Sequence, residues 1–279
     1  MDVAPFLSAL KEYFVAWGVI LTLLTVFEVL NPRERHPLHS RIAGIAFWAI
    51  SIAFSLMLAK GLAAGWRAVG VDPLFVIPSL EPVLGYPFAA AVAAGVIAAL
   101  FHDFFFYWYH RAQHRWFWHW HAVHHSVRHL NAVNSYHHIS EALFSLVLIQ
   151  LPMTLLISDA GATLPIVTVV LWCHIDWIHS PTRMTLGPLR AILVDNRFHR
   201  IHHSLEERHF DKNFGAFTTL WDRVFGTCHM PVKDEWPAVG LADVPEPCGL
   251  VDWFEMPSRL RKDQVSRSSV DDRYDPASA

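Results

Sequence analysis

Three apolar runs, residues 13–30, 42–66 and 83–109, set the strongest limit on what this chain can fold into. Each approaches or exceeds the ~20 residues that a helix needs to cross the ~30 Å hydrocarbon core of a bilayer. In that medium the backbone must satisfy its own hydrogen bonds, so all three are predicted to be helices. The first run carries Glu28 as its one charged residue and is followed by Asn31-Pro32-Arg33-Glu34-Arg35, with no small-residue cleavage pattern. It therefore reads as a retained span and not as a signal peptide. A fourth apolar region, residues 142–172, is interrupted by Ser158-Asp159-Ala160-Gly161-Ala162-Thr163. Its halves are short for a full crossing, which predicts a helical hairpin that stops within the membrane.

Composition agrees with that reading: 53% of residues are hydrophobic and 17% charged, against about 25% charged in soluble domains. A net charge of -3 with scattered basic residues leaves no footprint for nucleic acid. Cys173, Cys228 and Cys248 are too few and too irregular for a disulfide framework or a zinc knuckle, and fit a reducing compartment. No internal repeat is visible. Residues 31–41 carry Arg33, Arg35 and Arg41, whereas residues 67–82 carry Arg67 against Asp72 and Glu81. The excess of basic residues places the first loop in the cytoplasm. The fold expected is all-α, an integral membrane helical bundle of a bacterial inner membrane or the endoplasmic reticulum, with its site on the cytoplasmic side. Residues 1–84 form the N-terminal transmembrane part and residues 85–230 the histidine-rich part. Residues 231–279 read as a polar tail, partly disordered because Pro, Asp, Arg and Ser dominate it.

Seventeen of the nineteen histidines lie between His102 and His229. Three clusters stand out: His110 with His114, then His121, His124 and His125, then His199, His202 and His203. Spacings of i, i+4 and of i, i+3, i+4 put side chains on one helical face. On a single helix over residues 110–125 the first two clusters would share a ~100° arc, with His119 roughly opposite. One histidine at an apolar boundary is usually a packed residue. Eight at ligand spacing are not, because burying so many rings without a metal costs desolvation for no return. A zinc ion takes three or four protein ligands, so this set implies two ions. Imidazole suits iron, and zinc can substitute. The clusters contain no acidic residue, unlike the Glu-x-x-His sites of soluble di-iron bundles.

His174 and His179 flank Ile175-Asp176-Trp177-Ile178 and stand ~140° apart on a regular helix, so both can bind only after a π-bulge or a break. His138, three residues before Glu141, is a further candidate ligand. His36, His39, His102, His129, His209 and His229 read as bystanders. Asp103, seven residues before His110, is placed to support that ligand, and Asp222 and Asn213 are candidates for the same kind of role.

At these residues the chain resembles the fatty acid hydroxylase and sterol desaturase superfamily. The resemblance begins at Asp103-Phe104-Phe105-Phe106-Tyr107-Trp108-Tyr109-His110-Arg111-Ala112-Gln113-His114 and ends at Asn213-Phe214-Gly215 and Leu220-Trp221-Asp222-Arg223-Val224-Phe225-Gly226-Thr227. It covers roughly residues 85–230, which makes that stretch a fatty acid hydroxylase-like domain. The resemblance implies a helical membrane protein in which His110, His114, His121, His124, His125, His199, His202 and His203 hold two iron ions, with His179 as a further ligand. It implies O2 as oxidant, a fatty acyl, sterol or related lipid as substrate, and hydroxylation or desaturation as the reaction. Where the family often has Arg-x-His-Pro-x-Glu, this chain has Tyr136-His137-His138-Ile139-Ser140-Glu141. No haem or flavin motif is present, so the electrons are expected from a separate reductase, ferredoxin or cytochrome. The competing reading is a histidine-rich metal transporter or metal-binding protein. That needs ionisable residues along the spans, which offer chiefly Glu28, Lys60, His102 and Asp103.

Overall fold

The computed structural model describes residues 4–158 and 165–271. Among the described residues, helices α1 (Ala4–Leu30), α2 (Ser40–Val69) and α3 (Pro87–Trp116) are the three long and apolar enough to cross a membrane. Their outer faces leave Val15, Leu23, Ile42 and Val96 exposed, as lipid-facing surfaces require. The third helix differs from the expected run. Gly85 takes a left-handed conformation at φ 74° and closes a short turn over Glu81–Leu84, and Pro87 then starts α3. At its other end α3 continues through Trp116, so His110 and His114 ride on the last turns of a membrane helix.

No single helix spans residues 110–125. The chain breaks at Phe117 (φ −120°, ψ 23°), and α4 (Trp118–His125) starts in a new direction. The break is tied down by packing: the Phe117 ring stacks on Phe144 at 4.7 Å. Phe144 belongs to α5 (Glu141–Leu156), which contains a π-helical turn over Leu146–Gln150. A two-residue parallel pairing joins β1 (Phe75–Val76) to β2 (Ile157–Ser158), and α6 (Pro165–Trp177) follows. The interruption expected within residues 158–163 falls mostly outside the described residues. His174 lies on α6, while His179 lies beyond its end, so a break rather than a π-bulge separates their directions.

Shorter helices complete the site end of the bundle: α7 (Asn196–His202), α8 (Leu220–Val224) and α9 (Leu250–Asp271). The last lies within the stretch expected to be a polar tail, of which residues 272–279 fall outside the described residues. Trp253 is fully buried, stacks on Phe47 of α2 at 4.7 Å, and donates its Nε1–H to the His137 carbonyl at 3.1 Å. With Val123, Val127, Leu130, Tyr136 and Met256 these rings form a core that clamps α9 against α4. A second core of Trp177, Ile178, Val194, Phe198 and Ala216 backs α7.

Residues 126–140 are pressed against the membrane helices by an ion pair. Arg41 of α2 pairs with Glu28 of α1, and both are buried. The other oxygen of Glu28 accepts the Ala132 backbone N–H at 2.9 Å. Arg41 is therefore a buried partner of Glu28 rather than a free loop cation. Gly44 is required here by close approach, since a Cβ at that position would overlap the Val133 carbonyl. Removing one partner of a buried pair leaves an uncompensated charge, which costs about 3–5 kcal/mol. Glu28→Ala should therefore lower the thermal unfolding midpoint in detergent substantially. The double variant Glu28→Leu/Arg41→Leu should recover most of that loss, and equal midpoints for single and double variants would contradict the account.

Candidate metal centre

Helical geometry sorts the histidines into two sets. On a helix, i and i+4 lie ~40° apart, while i+3 lies ~60° to the other side of i. Each His-x-x-His-His segment can therefore direct a pair to one point and a single ring to another. In α4 the pair His121 and His125 joins His110 and His114 from α3, while His124 turns to the second point. In and just after α7 the roles reverse: His199 and His203 serve the second point and His202 returns to the first. His179, in the turn after α6, completes the second set. The result is one group of His110, His114, His121, His125 and His202 and another of His124, His179, His199 and His203, with donor atoms within 4.8 Å of one another in each. The groups adjoin: His125 and His203, one from each, stack at 4.5 Å.

The surrounding chain engages Nδ1 in six of the nine rings. The Nδ1–H groups of His110, His202, His124 and His179 donate to the carbonyls of Phe214 (2.8 Å), Lys212 (2.9 Å), Tyr136 (3.2 Å) and Ile175 (3.0 Å). A carbonyl only accepts, so in these neutral rings Nε2 carries a lone pair. His121 Nδ1 faces the Glu141 carboxylate at 3.3 Å, and His114 Nδ1 faces Asp211 at 3.3 Å. The Nε2 atoms then meet one another: His110 and His121 at 3.0 Å, His114 and His125 at 3.2 Å, His179 and His199 at 2.9 Å. His202 Nε2 is buried with no partner at all. In the His110–His121 pair both Nδ1 atoms are engaged, so the two Nε2 lone pairs meet and a cation between them would relieve the repulsion; with the convergence of the other imidazoles, the residues fit a metal in each group.

Electrostatics agree. Burial, followed by the neighbouring imidazoles, holds His121, His124, His125, His199, His202 and His203 well below the usual histidine range. Burial likewise pushes His179 down to about 4. All are then neutral at pH 7, the form that binds metal.

The other candidate residues act on the backbone around this centre. Asp103 accepts the N–H groups of Ala216, Phe217 and Thr218 and the Thr218 hydroxyl. Asp222 accepts the N–H groups of Phe214 and Gly215 at 2.8 Å and the Thr227 hydroxyl. Asn213 donates to the carbonyls of Phe198 and His229. All three carboxamide or carboxylate groups hold the turn over residues 213–218, whose Phe214 carbonyl orients His110. Gly215 is demanded there, because a Cβ would overlap the Thr218 carbonyl.

His138 and His174 are brought to neither group. His138 Nδ1 pairs with Ser140, and the His174 ring packs on Phe217. The structure instead places His137 beside the centre, stacked on His124 at 3.8 Å and clustered with His121 and Glu141. Its odd position next to His138, three and four residues before Glu141, was the available signal. Glu141 is a hub: Gln113 Nε2 and the Tyr109 hydroxyl both donate to it, and its carboxylate faces His121. His119 packs on Trp120 away from both groups.

One group opens outward. His114, His125 and His202 line a cavity of ≈410 Å³ whose other walls include Trp118, Phe210 and Leu241. A second cavity of ≈480 Å³, lined by Trp108, Arg111, Arg115 and Trp116, lies on the other side of His114 and Asp211.

A helical chain with three membrane-length apolar helices and two adjoining, fully protein-made imidazole clusters, each able to hold a metal ion, defines a class of histidine-rich membrane proteins. Comparison with known proteins narrows it. The profile of the family named Fatty acid hydroxylase matches residues 95–227. Ornithine lipid hydroxylase OlsE of Rhizobium tropici is 31% identical over 240 residues, 79% of this chain and 68% of that protein. Alkylglycerol monooxygenase of Danio rerio is 34% identical over 127 residues, 45% of this chain and 28% of its own length. Fatty acid hydroxylase vlmA of a Lecanicillium species is 29% identical over 145 residues, 45% of this chain and 39% of its own. No solved structure matches. The chain belongs to the fatty acid hydroxylase family.

The geometry separates ligand positions from neighbours. His202→Ala should lower the metal content of the purified protein, because it removes a donor from the five-histidine group. His119→Ala should leave the content unchanged, and equal losses in the two variants would contradict the assignment.

Proposed function

We propose that this protein is a membrane-bound di-iron oxygenase that inserts one atom of O2 into a C–H bond of a lipid. The observation that carries the proposal is the pair of convergent, buried imidazole groups, one of them facing a cavity. An inert C–H bond needs an oxidant that no side chain supplies, and two irons bound by these groups would supply it, with zinc able to take their place without that activity. The remaining oxygen atom leaves as water, using two electrons and two protons; the electrons come from a separate donor protein. Relatives whose names describe hydroxylation of ornithine lipid and oxygenation of alkylglycerol support a lipid substrate. Desaturation is the variant in which a second hydrogen is removed and no oxygen is returned.

The chain's own residues bind, orient and exclude. His110 and His202 are aimed by carbonyls, and His121 by the carboxylate of Glu141, so the donor set is organised before any ligand arrives. The second group is enclosed by α4, α7 and the turn at His179. The first presents His114, His125 and His202 to the cavity, which makes it the side where a substrate carbon approaches. Trp108 and Trp116 stand exposed at the same end of α3, in the position of interfacial aromatic anchors. A lipid lifted slightly from the bilayer there would bring its reacting carbon to the five-histidine group while its polar end stays hydrated.

That end of the bundle is proposed to be cytoplasmic. Residues 31–34 join it through hydrogen bonds from Arg33 and Glu34 N–H to the Pro181 carbonyl and through the ion pair of Glu34 with Arg200. Arg33, Arg35, Arg111 and Arg115 gather there, against Arg67 with Asp72 and Glu81 at the other end.

Reconstituted protein supplied with candidate lipids, a reductase system and 18O2 should yield a hydroxylated lipid carrying the label. An unlabelled double bond would make the protein a desaturase. Turnover that proceeds unchanged without O2 would end the oxygenase reading.

A further inference from the structure

A second cluster of histidines lies apart from the nine that form the candidate centre. His209 ends a short turn over Glu207–His209, and His229 follows Cys228 on a separate strand of chain. Their rings stand 4.8 Å apart between centroids. The Glu235 carboxylate approaches both, at 3.3 Å from His209 Nε2 and 3.7 Å from His229 Nε2. The side chains of His209 and Glu235 are 0% and 5% exposed, and that of His229 is 26% exposed. His209 Nε2 and His229 Nε2 are each buried without a hydrogen-bond partner. Two orphaned ring nitrogens and a carboxylate thus face one another, with one donor atom of each within 4.8 Å of the others.

We propose that His209, His229 and Glu235 form a further metal site, separate from the nine-histidine centre, that takes a zinc-class divalent cation. Ligand atoms bound at ~2.0–2.2 Å to a tetrahedral ion stand ~3.3–3.6 Å apart; His209 Nε2 and Glu235 Oε1, 3.3 Å apart, match that span, and His229 Nε2 lies 3.7 Å from the other carboxylate oxygen, Oε2. Two imidazoles and a carboxylate suit zinc, with a water completing the tetrahedron. The supporting contacts are those a metal site uses. His209 Nδ1 lies 2.8 Å from the Ser204 hydroxyl, which itself accepts the Glu206 N–H. Glu235 Oε2 accepts the Val232 N–H at 2.8 Å, which leaves Oε1 for the ion.

Arg208 is the competitor. Its Nη2 lies 2.9 Å from Glu235 Oε1, but its side chain is 58% exposed and also pairs with Glu206. It can swing out while keeping that partner, and in place it satisfies neither imidazole nitrogen. The partly exposed edge of His229 gives an ion its way in.

An ion there would join residues 204–213 to residues 229–235. The first of these segments carries the Lys212 carbonyl that orients His202 and the Asp211 carboxylate that faces His114. The site would therefore brace the strap that aims two rings of the five-histidine group, from the outside and without touching them.

The test compares metal content between variants, so it stands whatever the nine-histidine centre binds. Holoprotein equilibrated with micromolar Zn²⁺ and then freed of loose metal should hold one more equivalent in the wild type than in His229→Gln or Glu235→Gln. Glu235→Gln keeps an acceptor for the Val232 N–H, so a folded variant is available. Zn²⁺ should also raise the thermal midpoint of the wild type and leave that of the variants unmoved. An equal zinc content and an equal thermal shift in wild type and folded variants would overturn the proposal, leaving the cluster an ion-pair network of Arg208, Glu235 and the two rings.

Discussion

Nine buried imidazoles converge in two groups that could each hold a metal ion, and the structure is arranged to hold them in that relation. Lone pairs so placed repel unless a cation or a shared proton lies between them, so the rings must be kept from turning away. For six of the nine this is done by giving Nδ1 a fixed partner. Backbone carbonyls at Phe214, Lys212, Tyr136 and Ile175 and the carboxylates of Glu141 and Asp211 perform that role. A ring so locked has one productive orientation, and the cost of ordering it is met by the fold rather than by the ligand.

The acceptors are only as rigid as the chain that carries them, which explains the dense polar support around the centre. Asp103 and Asp222 bind five backbone N–H groups of the turn at residues 214–218 between them. The loop that presents the Tyr136 carbonyl is pinned on one side by Glu28 and on the other by Trp253 donating to His137. Charged side chains buried this deeply would be liabilities in an apolar core. Here each is saturated by several donors, and the strongly directional bonds give the turn a single conformation.

Membrane and site are coupled through α3, which is both a span and the carrier of His110 and His114. The break at Phe117 lets α4 leave the bilayer axis and fold back, so that rings from both sides of the break reach the same point. This places the centre at one end of the bundle, with a cavity at the five-histidine group and aromatic rings at the helix end beside it.

Much of this was legible in the sequence because two of its signals are local. Apolar length announces a span, and His-x-x-His-His announces a ligand face, since both depend only on helical rise and turn. The structure brings His110, His114, His121, His124, His125, His179, His199, His202 and His203 together, nine of the eleven histidines that spacing and resemblance picked out as candidate ligands. What the sequence could not determine depends on contacts between distant segments. A continuous helix over residues 110–125 was the natural reading until the stacking of Phe117 on Phe144 broke it. His137 rather than His138 faces the centre because of how the loop lies on Glu28 and Trp253. Within the polar stretch after residue 231, Trp253, seated in a core supplied by α2 and α4, ties α9 to the rest of the fold. Sequence by itself determined the helices, their medium and the chemistry of the donors. Only the tertiary structure decided which ring meets which, because tautomers and lone pairs are set by acceptors that lie up to a hundred residues away.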